Sequence, residues 1–282
     1  MQKRVAAIHD ISCFGKCSLT VALPVMSAAG IETSVIPTAV LSTHTGDFTG
    51  FTYRDLTDDI LPVVRHWQTL DLKFDAIYTG FLGSFEQIDI MTEVFAALKT
   101  ADNLILVDPV MADNGKLYSI FPPDFPDGMK KLCAHADIIV PNMTEAALLV
   151  GDEYCEGPYD MIFIEALLER LAVTGPQRVV LTGVYFDDDE LGAAVYENGA
   201  VTYLMSRRIE GYYHGTGDLF ASALLAGVLS GLSLADAAEA AISLTVESIQ
   251  RTREAGTDVR FGVNFEKGLT DFALRLRERV NA

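Results

Sequence analysis

Short apolar runs alternate with longer stretches of helical period along most of the chain, and this alternation predicts an α/β architecture. Residues 3–9 read as a buried strand, 10–15 as a loop, 18–29 as a helix stopped at Gly30, and 33–41 as a second strand. The segment 42–52 is polar, rich in threonine and twice interrupted by glycine, which suits a mobile flap over a pocket. A regular series follows: helix 55–70, strand 75–79, helix 85–99, strand 103–108, helix 126–134, strand 137–140, helix 143–150, helix 160–173 and strand 177–182. The alternating stretch 191–206 is broken by Glu197-Asn198-Gly199, and Asn-Gly there predicts an antiparallel hairpin at a sheet edge. Helices at 217–230, 234–253 and 265–280 complete the chain.

Strands alternating with helices imply right-handed βαβ crossovers and a mostly parallel central sheet covered on both faces, a three-layer α/β/α arrangement. No linker, internal repeat or low-complexity stretch interrupts the series, so the expectation is one compact domain over residues 1–282. Ligands of such sheets sit at the carboxyl ends of the strands. Those ends read Ser12, Thr79-Gly80, Asp108-Pro-Val-Met111 and Pro141-Asn-Met-Thr-Glu145.

Half of the residues are hydrophobic and the mean hydropathy is +0.25, enough for a sizeable core. The net charge of −18 opposes nucleic-acid backbones and anionic membranes, so any anionic ligand must be held by local donors and metal ions. No apolar run is long enough to span a bilayer and no signal-peptide core follows Met1, so a cytoplasmic location is expected. The four cysteines form no C-x-x-C pair and are read as free thiols, with Cys13 and Cys17 in a ligand loop. The five histidines have no zinc spacing, and Asp187–Glu190 lacks the spaced ligands of a calcium loop and is read as a solvated turn.

The strongest chemical signal is Gly215-Thr-Gly-Asp218, opening directly into an apolar helical run. Small residues let backbone amides converge on an anion, and the helix directs its positive end to the same point. Asp218 is too negative to cradle phosphate, so it is either a helix cap or the base that takes a proton from an attacking hydroxyl. Asp108 closes an apolar strand ahead of Pro109; Asn142 and Glu145 fit a capping box, and Glu145 can still share magnesium-bound water with Asp108. The P-loop, the dinucleotide fingerprint and the serine-hydrolase elbow are all missing.

Taken together, Ser12 followed by Gly15, Tyr78-Thr-Gly-Phe-Leu-Gly-Ser84, Asp108-Pro-Val-Met111, Asn142-x-x-Glu145 and Gly215-Thr-Gly-Asp218 resemble, in order and spacing, the pyridoxal kinases of the ribokinase-like superfamily. The resemblance implies ATP-dependent phosphorylation of the 5′-hydroxymethyl group of a vitamin B6 vitamer. Asp218 would be the base, with the Gly215, Thr216 and Gly217 amides around the γ-phosphoryl group. Ser12 and Thr45 would contact the B6 ring, and Asp108, Asn142, Glu145 and Thr182 would serve ATP, Asp108 and Glu145 holding Mg²⁺ through water. Mg²⁺ and ATP follow from the resemblance, K⁺ is the candidate monovalent ion, and a homodimer is implied. Thr182 stands where some relatives carry lysine, which leaves Lys16, Arg207 or Arg208 as alternative cations. The flap His44-Thr-Gly-Asp-Phe48 is shorter and more acidic than the family's Thr-Gln-Tyr version. The alternative substrate is the hydroxymethylpyrimidine precursor of thiamine, a similar flat heteroaromatic alcohol. A non-catalytic pyridoxal-binding protein ranks below both, because a binder has no use for a base beside an anion site.

Overall fold

The computed structural model describes residues 2–280. The chain runs β1 (Arg4–Ser12), α1 (Leu19–Ala28), β2 (Glu32–Leu41), β3 (Tyr53–Asp55), α2 (Thr57–Thr69), β4 (Ala76–Thr79), α3 (Phe85–Leu98) and β5 (Leu104–Val107). It continues through β6 (Ala112–Asp113), β7 (Lys116–Leu117), α4 (Phe125–Cys133), β8 (Ile138–Ile139), α5 (Met143–Val150), α6 (Met161–Val173) and β9 (Arg178–Val184). The last elements are β10 (Glu190–Glu197), β11 (Ala200–Arg207), α7 (Thr216–Ser230), α8 (Leu234–Ala255) and α9 (Leu269–Val280).

Two compact units divide these elements. The first takes in the described residues up to Ile60, Lys73–Asp75 and those from Ile209 onwards. Here β1 lies parallel to β2, joined through α1, and β3 adds antiparallel to β2 over Ala39–Leu41. Val5, Ala6, Ala7 and Ile8 of β1 are wholly buried, as a strand covered on both faces requires. Helix α7 is apolar nearly all round and packs on α1 and α8. Its approach to α8 is close: a Cβ on Gly227 would stand 2.8 Å from that of Ala237.

The second unit holds Leu61–Leu72 and Ala76–Arg208, with strand order β11-β10-β9-β8-β5-β4. β4, β5, β8 and β9 are mutually parallel, and β9, β10 and β11 are antiparallel. The expected class is the one observed: parallel strands joined by helices, with an antiparallel hairpin at the edge. Its turn is the Asn-Gly dipeptide read from the sequence, both residues in the left-handed region at φ 53° and 83°.

Three departures from the sequence reading have local causes. β1 extends through Asp10 to Ser12 because the polar residues there hydrogen-bond one another in the interior. β3 is three exposed residues on an edge, where no apolar alternation is needed. The final helix starts only at Leu269, after two single-turn 3₁₀ segments at Val259–Phe261 and Glu266–Gly268.

Candidate active site

The turn before α7 has the predicted form. Gly215 takes the left-handed conformation at φ 74°, and a Cβ there would lie 2.0 Å from the Lys16 carbonyl oxygen, so only glycine fits. The Leu219 amide donates to the Gly215 carbonyl as the first helical hydrogen bond, so the amides of Thr216, Gly217 and Asp218 precede the helical ladder. Thr216 fixes the turn by donating its hydroxyl to the Tyr213 carbonyl at 3.1 Å. Gly217 is exposed, and a Cβ placed on it would meet nothing within 4 Å. Open space therefore lies next to a helix end carrying partial positive charge.

Asp218 retains accessible surface yet lies deep among protein atoms, and burial pushes its carboxyl up to about 7. The Ser18 amide donates to it and favours the ionised form, while the negative charge of Asp10 opposes ionisation. A carboxylate poised near neutrality at an anion cradle is suited to accept a proton. Ser12 is buried and donates its hydroxyl to Asp10 Oδ2 at 3.0 Å.

Hydrogen bonds tie the segment 42–52 together. The Thr52 amide donates to Ser42 Oγ at 2.8 Å, closing its base, and Thr45 is half-buried within it. The Gly46 amide donates to His44 Nδ1 at 3.1 Å, so Nε2 carries the proton and donates to the Arg260 carbonyl at 2.6 Å. Burial lowers the proton affinity of His44. His214 Nε2 lies 2.9 Å from Asp47 Oδ2, and Arg260 stands over the Phe48 ring.

In the second unit, Asp108 and Glu145 are both buried and both lie near enough to Cys133 to raise its thiol, after burial itself. Glu145 accepts from the Met111 amide at 3.1 Å and the Asn142 amide at 2.9 Å, and burial pushes it up to about 8. Asn142 completes the capping box and donates from Nδ2 to the Ala112 carbonyl, so its side chain works by holding Glu145 and the β6 strand in place. Thr182 is half-buried on β9, its amide donating to the Pro141 carbonyl at 2.9 Å.

Among the described residues no three His, Cys, Asp or Glu side chains gather to hold a metal ion. A carboxylate pair that reaches a metal ion only through water needs no closed cage. Each oxygen of Glu145 accepts one amide and keeps a lone pair for a further partner.

Of the cations named as substitutes for a lysine at 182, Lys16 and Arg208 are engaged in side-chain contacts. Lys16 Nζ donates to the Val263 carbonyl at 3.2 Å and Asn264 Oδ1 at 3.0 Å and pairs with Glu266. These contacts clamp the chain following α8. Arg208 stands 4.8 Å over the Tyr185 ring, and Arg207 ends β11 opposite Glu190. Two residues that the sequence reading left unassigned, Asp10 and Ser18, sit against Asp218.

Residues 22–262 match the family described as phosphomethylpyrimidine kinase. A crystal structure from Bacteroides thetaiotaomicron VPI-5482, provisionally described as a phosphomethylpyrimidine kinase and crystallised with pyridoxal, is 35% identical. The match covers 96% of each chain with a TM-score of 0.92. The pyridoxal kinase of Lactobacillus plantarum is 32% identical over 99% of both chains with a TM-score of 0.89. A pyridoxine/pyridoxal/pyridoxamine kinase of Bordetella avium is 29% identical over 266 residues, 89% of this chain and 86% of that one.

Proposed function

This chain belongs to the phosphomethylpyrimidine kinase family, and we propose that it phosphorylates the 5′-hydroxymethyl group of a vitamin B6 vitamer with ATP, in salvage of pyridoxal 5′-phosphate. The observation that carries the reading is the Asp218 carboxylate, raised toward neutrality at the foot of a glycine-built amide cradle. The similarity to a kinase of Lactobacillus plantarum and to a structure crystallised with pyridoxal supports the substrate.

In this reading Asp218 accepts the proton of the substrate alcohol as its oxygen attacks the γ-phosphorus. The amides of Gly215, Thr216 and Gly217 stabilise charge on the phosphoryl group in transit. Ser12 and Thr45 hold the B6 ring, and the 42–52 flap borders it. Asp108 and Glu145 hold Mg²⁺ through water, Asn142 fixes Glu145, and Thr182 lies toward the nucleotide. Mg²⁺ when bound neutralises charge on the ATP phosphates, and K⁺ is the candidate activating ion. Residues 1–282 work as one ribokinase-like kinase domain, cytoplasmic and homodimeric.

The family description favours one second reading, phosphorylation of hydroxymethylpyrimidine. A coupled ADP-release assay on pyridoxal, pyridoxine, pyridoxamine and hydroxymethylpyrimidine, with Mg²⁺ and K⁺ present, separates the two. A B6 vitamer is expected to have the highest kcat/KM. A higher value for hydroxymethylpyrimidine establishes the second reading instead, and no alcohol-dependent ADP release establishes a binder.

A further inference from the structure

Ser18 occupies the N-cap of α1, yet its hydroxyl makes no bond to that helix. It donates instead to Asp10 Oδ1, and the other oxygen of Asp10 accepts from Ser12. The backbone of Ser18 is at φ 52°, ψ −127°, a region that residues with a Cβ adopt only under constraint. Its amide, in that conformation, is the one that donates to Asp218. Asp10 and Ser18 are only 4% and 5% exposed, so neither bond has solvent as an easy substitute.

These contacts form a chain of dependence. The fixed carboxylate of Asp10 holds the Ser18 hydroxyl, the held hydroxyl keeps the backbone in its strained turn, and the turn aims an N–H at Asp218. We infer that Asp10 and Ser18 are positioning residues for the Asp218 carboxylate: Asp10 locks Ser18, and Ser18 orients the base through its backbone amide. This rests on the reading of Asp218 as the base. Neither residue needs to touch substrate for the role.

Alanine and glycine at position 18 separate orientation from packing. Both remove the hydroxyl, but glycine adopts positive φ without strain and keeps the amide aimed, whereas alanine relaxes away from it. In Ser18→Ala, kcat is expected to fall about 10-fold or more with the KM for ATP changed less than about 2-fold. Ser18→Gly is expected to recover most of that loss. Asp10→Ala should lower kcat markedly in the native background and less than about 3-fold in the Ser18→Gly background, since glycine needs no lock.

Equal losses in the alanine and glycine variants would overturn the inference. So would an Asp10→Ala cost that is the same in both backgrounds. If Ser18→Ala does not fold, the cycle between Asp10→Ala and Ser18→Gly decides alone. Failure of the underlying reading looks different: Asp218→Asn would then turn over like the wild-type enzyme, whatever the variants at position 18 do.

Discussion

Asp218→Asn is expected to lower kcat by about 100-fold or more, the range that removal of a general base produces, while leaving the KM for ATP within a few-fold of the wild-type value. Asparagine keeps the shape and the acceptor for the Ser18 amide but has no lone pair basic enough to take the alcohol proton. The pH profile carries the same signature. Because the Asp218 carboxyl lies at about 7, log kcat/KM should rise with pH up to about 7 and level off above it. That limb should vanish in Asp218→Asn. Stability should move the other way. The folded state holds the Asp218 proton more tightly than the unfolded chain, whose carboxyl is near 3.8, so this residue's contribution to stability falls as pH rises from about 3.8 through about 7. Thermal melting at pH 8 should therefore find Asp218→Asn more stable than the native protein. A variant that is slower and no more stable at pH 8 would mean that burial is not what raises the carboxyl.

The two glycines of the cradle should fail in different ways. Gly215→Ala places a methyl group 2.0 Å from a backbone carbonyl in a left-handed conformation, and neither the Lys16 oxygen nor the helix start can yield cheaply. A loss of about 3 kcal/mol is expected, from overpacking and the strain of positive φ together. At this chain length, melting should fall by roughly 5 °C or more. Gly217→Ala meets no protein atom, and alanine suits a first helical turn, so melting should hold. Its methyl group instead occupies the space where a phosphate must approach the amides, and kcat/KM for ATP should fall about 10- to 100-fold. Full activity in Gly217→Ala would place the phosphoryl group elsewhere.

Much of this was legible in the chain. Gly215-Thr-Gly-Asp218 could be read because small residues immediately before an apolar helical run have few structural uses. The Asn198-Gly199 turn could be read because both of its residues need positive φ. Asp10 was not legible: an aspartate among serines looks like a loop, and only burial in β1, with both oxygens taken by hydroxyls, turns it into an interior group. The contacts that engage Lys16, read from the sequence as an alternative cation, were not legible because its partners, Val263, Asn264 and Glu266, lie nearly the whole chain away. The short β6–β7 ribbon escaped for a similar reason. Its four residues carry no periodicity, and it is held from outside by Asn142 and Thr144.

The γ-phosphoryl group of ATP has one expected destination, the 5′-hydroxymethyl oxygen of a B6 vitamer. ATP labelled at the γ-phosphorus, incubated with the full chain, Mg²⁺ and pyridoxal, should yield labelled pyridoxal 5′-phosphate in equal amount to ADP. Label appearing only as inorganic phosphate would contradict the account.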